Sequence, residues 1–146
     1  MTSTSLGWYN GDWGIADELN IPLSDRGLQL ADGLFETMLI LAGKPQLLTE
    51  HLQRWQGSAA LLGMAPPPAR LWLEPLLEEA ITRAGLNAAD ASGAMRLNWS
   101  RGSSPGRGIG CPTGDPDPTQ HRFWLTLQPH QPQFEPAQAW ISVQEQ

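Results

Sequence analysis

Two helix-like runs lie back to back near the middle of this chain, and strand-like runs flank them on both sides. In "TEHLQRWQGSAALLGM" the residues Leu52, Trp55, Ala59 and Leu62 recur at steps of three and four, the period of one helix face. Thr49 is expected to cap this helix, Glu50 complements its dipole, and Gly63 with Pro66-Pro67-Pro68 ends it. A second helix is predicted over about 70–84, with Leu73, Leu76, Leu77 and Ile81 on one side. Pro75 is compatible with that helix only in its first turn.

The flanking runs read as strands. Asn10-Gly11 is the strongest two-residue hairpin signal, and Trp8, Tyr9 and Trp13 supply β-formers around it. Ser24–Gly27 reads as a turn. "LFETMLILAGKPQLL" gives extended runs at 34–42 and 45–48, with Gly43-Lys44-Pro45 between them. After a loop over 85–93, "AMRLNWS" alternates Met95, Leu97 and Trp99 with polar neighbours. "HRFWLTLQ" and "AWISVQ" supply two further strands. Hairpins first, then two helices, then strands predict an α+β domain over 1–146: an antiparallel β-sheet with two helices packed on one face, in two layers.

What such a domain can do depends on its charged side chains. Net charge is −6, which argues against a nucleic-acid partner. Eight of the nine basic residues are Arg and the ninth is Lys44, so the chain is equipped to grip anions. Cys111 is the single cysteine, which excludes an internal disulfide and a cysteine-based zinc site and fits a reducing cytoplasm. No run of eighteen apolar residues and no basic-then-apolar leader is present, so neither a membrane span nor a signal peptide is expected.

Several clusters are candidates for chemistry. "RGSSPGRGIG", residues 101–110, places Arg101 and Arg107 in a glycine frame that can bring backbone N–H groups close to an anion. With Arg96 they could form a carboxylate pocket. No Gly-Lys-Ser/Thr ends the loop, so it is not a nucleotide P-loop. His51, Arg54 and Ser58 form a polar stripe that, on spacing alone, is a solvated helix face. His51, His121 and His130 are scattered, Asp115 and Asp117 read as turn formers, and Trp55 and Trp99 fall on apolar stripes.

In order, "DRGLQLADGLFETM", "LILAGKPQLL", "EHLQR" and "RLNWSRGSSPGRG" resemble the fold-type IV pyridoxal-phosphate enzymes over about residues 8–128. That group includes branched-chain and D-amino-acid aminotransferases and aminodeoxychorismate lyase. Asp32-Gly33 before Phe35-Glu36-Thr37 looks more like the lyase and D-amino-acid branches, although Ile109 stands where lyases often carry an aromatic residue. The resemblance implies that Arg54 holds the phosphate of pyridoxal 5'-phosphate. It implies that Arg107 and Arg96 receive substrate carboxylates and that Phe35 lines the substrate pocket. It assigns catalysis to a lysine, and Lys44 sits where the family has a turn. The family's lysine comes later, so the resemblance makes this chain the N-terminal domain of a two-domain enzyme, itself inactive. The complete protein is then expected to be a cytoplasmic homodimer acting on a small carboxylate substrate, with no membrane or metal involved. The leading activity is aminodeoxychorismate lyase, in the folate pathway. The alternatives are a class IV aminotransferase and a non-catalytic truncated paralogue or binding module.

Overall fold

The computed structural model describes residues 4–103 and 109–139. Among the described residues six antiparallel strands form one sheet, in the order β2 (Asp12–Ile15), β1 (Leu6–Tyr9), β6 (Arg122–Pro129), β5 (Ser92–Ser100), β3 (Gly33–Leu41) and β4 (Lys44–Pro45). The first hairpin pairs β1 (Leu6–Tyr9) with β2 (Asp12–Ile15) and sets Trp8 opposite Trp13. Its turn residues Asn10 and Gly11 take φ of +51° and +93°, the doubly left-handed geometry that matches strand twist. β3 (Gly33–Leu41) and β4 (Lys44–Pro45) repeat the device at Ala42 and Gly43, with φ of +47° and +76°. The turn therefore comes one residue earlier than the sequence implied, and β4 is only two residues long. β5 (Ser92–Ser100) lies between β3 and β6 (Arg122–Pro129). Most of the expected last strand, from residue 140 on, lies outside the described residues.

The helices α2 (Leu48–Leu61) and α3 (Arg70–Arg83) cover one face of this sheet. Leu52, Trp55 and Ala59 of α2 and Leu73, Leu77 and Ile81 of α3 pack on Met38, Ile40, Met95, Leu97, Leu125 and Leu127. The strand residues of this set recur at every second position, so the helix-facing side of the sheet carries an apolar stripe on each of β3, β5 and β6. Burying each such side chain contributes about 1.5–3 kcal/mol.

The helix ends are sharp. Gly63 and Gly85 take φ of +61° and +70°, and the following Met64 and Leu86 donate back to Ala59 and Ile81 at 2.9 and 3.0 Å. This is the paired C-terminal bond pattern that an αL glycine permits. Two helix expectations are corrected. Leu47, in αL conformation and without a side-chain bond, precedes α2, so Thr49 is inside the first turn and its hydroxyl accepts from Arg70 instead, at 2.9 Å. Pro75 lies inside α3, past the first turn. The carbonyl it leaves without a helical partner belongs to Leu71, which is 88% exposed, so water can take the bond.

The expected turn at Ser24–Gly27 is a helix start. Asp25 Oδ1 accepts from the Gly27 and Leu28 amides at 2.8 and 3.3 Å and opens α1 (Arg26–Leu30). Among the described residues no helix is long and apolar enough to cross a membrane, and no group of three His, Cys, Asp or Glu is placed to hold a metal ion.

Candidate active site

Strand alternation divides the polar residues of β3 between two sides. Glu36 points with Met38 and Ile40 toward the helices and is 5% exposed. A carboxylate there needs partners, and α2 supplies them. Arg54 donates Nε to Oε1 at 2.8 Å and Nη2 to Oε2, while His51 Nδ1 lies 2.7 Å from Oε2. Burial pushes the Glu36 carboxyl up, but the bonds from Arg54 and His51 outweigh it and hold the group below the usual carboxylate range. The same bonds raise Arg54, whose side chain remains 66% exposed. The stripe His51–Arg54 is therefore more than a solvated face.

On the opposite side Phe35 and Arg96 meet. The Arg96 guanidinium carbon is 3.7 Å from the Phe35 ring centroid, a stacked cation–π contact. Arg96 Nε donates to Asn98 Oδ1 at 2.9 Å, and Asn98 in turn donates to the Trp124 carbonyl at 3.3 Å. These side chains floor a cleft of about 340 Å³ whose wall includes Gly27, Leu28 and Ala31 at α1. No carboxylate pairs with Arg96 among the described residues, so it is a cation free to take an external anion.

The structure thus brings Phe35 and Arg96 together and puts Arg54 on the other side of the sheet. The two sides nevertheless share a border. β4 pairs with β3 only at Ile40 and Leu41, so among the described residues the outer edge of β3 beside Phe35 and Glu36 has no strand partner. Arg107 lies outside the described residues.

Arg101 departs from the expected carboxylate pocket. It is 8% exposed and spends its guanidinium on Asp32 Oδ2 at 2.9 Å and on the carbonyls of Leu62 and Gly63 at 2.8 and 3.2 Å. Asp32 also accepts from Arg26 Nε at 2.6 Å. Burial pushes Asp32 up, yet the two arginines together bring it below its ordinary value. Asp25, wholly buried, accepts from the Ser100 hydroxyl at 2.7 Å and from Arg122 at 2.8 Å. Next to this network Gly102 takes φ of +82°, and a Cβ there would stand 1.6 Å from the Gln120 carbonyl oxygen. Only glycine fits. The constrained positions of "SDRGLQLADG" are the struts that fix the α1 wall of the cleft.

Lys44 stands apart. It is exposed and pairs with Leu41, six residues along β3 from Phe35, a span of about 20 Å at strand rise.

An antiparallel sheet backed by two helices, with Arg54 and Arg96 on its opposite faces beside Glu36 and Phe35, defines a small α+β domain. The chain belongs to the class IV aminotransferase family, whose profile matches residues 33–146, and its fold is that of the N-terminal domain of fold-type IV enzymes. It is 40% identical over 75 residues to a bifunctional aminodeoxychorismate lyase / D-amino acid transaminase of Mycobacterium tuberculosis, a match covering 51% of this chain and 25% of that one. A hypothetical aminotransferase from the same organism, in its PLP-bound form, superposes with a TM-score of 0.66 at 26% identity, covering 86% of this chain and 40% of that one. The 4-amino-4-deoxychorismate lyase from Pseudomonas aeruginosa gives a TM-score of 0.57 at 28% identity, with 86% and 39% covered. The chain spans well under half the length of these proteins.

Sequence reasoning left Glu36 without a role. The signal was present: an acid in register with Met38 and Ile40 falls on the apolar face and must be paired.

Proposed function

We propose that this chain is the N-terminal domain of a pyridoxal-phosphate-dependent aminodeoxychorismate lyase, which converts 4-amino-4-deoxychorismate to 4-aminobenzoate and pyruvate. The observation that carries the reading is the pair of exposed arginines, Arg54 and Arg96, held on opposite faces of the sheet by the neighbouring β3 residues Glu36 and Phe35. The cofactor fits this chain at Arg54, because Glu36 occupies only one fork of the guanidinium and the side chain stays open to solvent. A phosphate dianion suits that fork. When bound, the cofactor supplies an electron sink for charge developing on the substrate's α-carbon.

The chain's own residues bind and orient. Arg96, braced by Phe35 and Asn98, receives one substrate carboxylate, and Arg107 receives the other of this cyclic diacid. Phe35 and Trp124 give the ring an apolar floor. Lys44, on β4 and about 20 Å from Phe35 at strand rise, is too far to serve this cleft, so the lysine that bonds the cofactor is proposed to come from outside residues 1–146. We further propose that the complete enzyme is a cytoplasmic homodimer; the exposed Leu28 on the cleft wall supports the self-association.

Transamination of a small amino acid is the second reading, favoured by the double activity named for the M. tuberculosis relative. The test is a paired assay on the complete protein: release of 4-aminobenzoate against amino transfer to a 2-oxo acid. Lyase turnover that falls at least about tenfold in Arg96→Ala supports the proposal, on the scale of one charge-assisted hydrogen bond. Amino transfer without 4-aminobenzoate release would reject it.

A further inference from the structure

We infer that Glu36, held in place by His51, is a positioning residue for Arg54. The inference rests on the reading of Arg54 as the phosphate-binding group.

The two partners differ sharply in burial, with Glu36 at 5% and Arg54 at 66% exposure. An arginine recruited only to neutralise a buried carboxylate would be drawn in over it. Here the reverse holds: the buried group reaches out and fixes the exposed one. Both Glu36 oxygens are used, one on Nε and one on Nη2. His51 Nδ1, 2.7 Å from Oε2, steadies the carboxylate from a second direction. Arg54 Nη1 makes no hydrogen bond among the described residues, which leaves its donors available to an external ligand. An arginine alone on a helix surface samples many rotamers and loses that freedom when it grips an anion. One already locked to a rigid strand loses little, which is preorganisation in the ordinary sense.

Charge alone predicts the opposite sign. A carboxylate this close to a phosphate dianion repels it, so a Glu36 that acted merely as a neighbouring charge would weaken binding, and its removal would tighten it. Positioning and charge can therefore be told apart.

The experiment measures the affinity of the complete protein for pyridoxal 5'-phosphate and for pyridoxal, which lacks the phosphate. The ratio isolates the phosphate contribution. Glu36→Gln is expected to lower that ratio roughly ten- to a hundredfold, the worth of one charge-assisted hydrogen bond, while leaving pyridoxal affinity in place. Glu36→Asp keeps the charge, shortens the reach by one methylene, and should lower the ratio as well; it carries the test if Glu36→Gln does not fold. In an Arg54→Ala background Glu36→Gln should change nothing further, as expected of residues that act through one another. A ratio raised or unchanged in the Glu36 variants, with Arg54→Ala still destroying it, overturns the positioning role alone. A ratio untouched by Arg54→Ala overturns the assignment of Arg54 itself.

Discussion

Replacing Arg101 by Met separates a strut from an anion receptor. Arg101 is 8% exposed, bonds to the Asp32 carboxylate and to two carbonyls at the end of α2, and so connects β5, the loop before β3 and the helix layer. Breaking a buried ion pair by removing one partner costs about 3–5 kcal/mol. Asp32 keeps its second partner, Arg26 at 2.6 Å, so its charge is not left bare and the loss belongs near the lower end of that range. The two carbonyls left behind belong to exposed residues, Leu62 and Gly63, so water can take their bonds and they add little. A net loss of about 3 kcal/mol, at a urea slope of about 2 kcal/mol/M for a domain of this size, moves the midpoint down by about 1.5 M. Arg70→Met is the control. Arg70 pairs with Glu74 on the exposed face of α3, both about half exposed, where such pairs contribute about 0.3–0.5 kcal/mol. Urea unfolding followed by Trp fluorescence reads both variants. An Arg101→Met protein within about 0.5 kcal/mol of the parent, the spread of ordinary surface changes, would refute the strut and reopen Arg101 as a ligand-binding cation.

Leu97, wholly buried on the helix-facing side of β5, should cost about 2–5 kcal/mol when cut to Ala, with urea unfolding as the measure and a loss under about 1 kcal/mol as the contradiction. His121 accepts the Ala65 amide on Nε2 at 3.1 Å; burial first, and the positive Arg101 second, keep it neutral below its ordinary value of 6.5. Because the folded form binds this proton less readily than the unfolded chain, its contribution is complete above 6.5 and is lost as pH falls from there toward the folded value. Stability measured between pH 7.5 and 5.5 should drop in the parent and drop less in His121→Gln. Lys44→Ala should leave turnover of the complete enzyme within about twofold, since an exposed residue remote from the cleft supplies little to the barrier; loss of activity, or borohydride reduction fixing the cofactor on Lys44, would place the reactive amine in this chain after all.

The layers of this fold were legible because each has one dominant cause. Asn10-Gly11 permits almost nothing but a tight hairpin, and the period changes at Thr49 and again near Met95 separate helix from strand. What was misjudged depended on tertiary neighbours. Asp25 looks like a turn residue until Ser100 and Arg122, far along the chain, are found on its second oxygen. Pro75 looks confined to a first helical turn until the carbonyl it leaves unpaired is found to belong to Leu71, an exposed residue.

The arginines show where such reading stops. Arg101 and Arg54 are equally basic, and both lie in motifs that resemble binding sites. One is spent inside the protein, its fork closed on Asp32 and two carbonyls; the other is held at the surface with part of its fork open. Neither state is set by the residue or its immediate neighbours in sequence. It is set by what surrounds the acid each one meets: Asp32 lies between Arg26 and Arg101, with the Leu62 and Gly63 carbonyls beside it taking up the rest of the Arg101 fork, whereas Glu36 faces an exposed turn of α2 and engages only Nε and Nη2 of Arg54. Arg96 has an aromatic ring in place of an acid, which fixes the plane of the cation without neutralising it. In this chain an arginine keeps donors available for a ligand where its anchor is smaller than its fork, as at Arg54, and is a strut where the anchor fills it, as at Arg101.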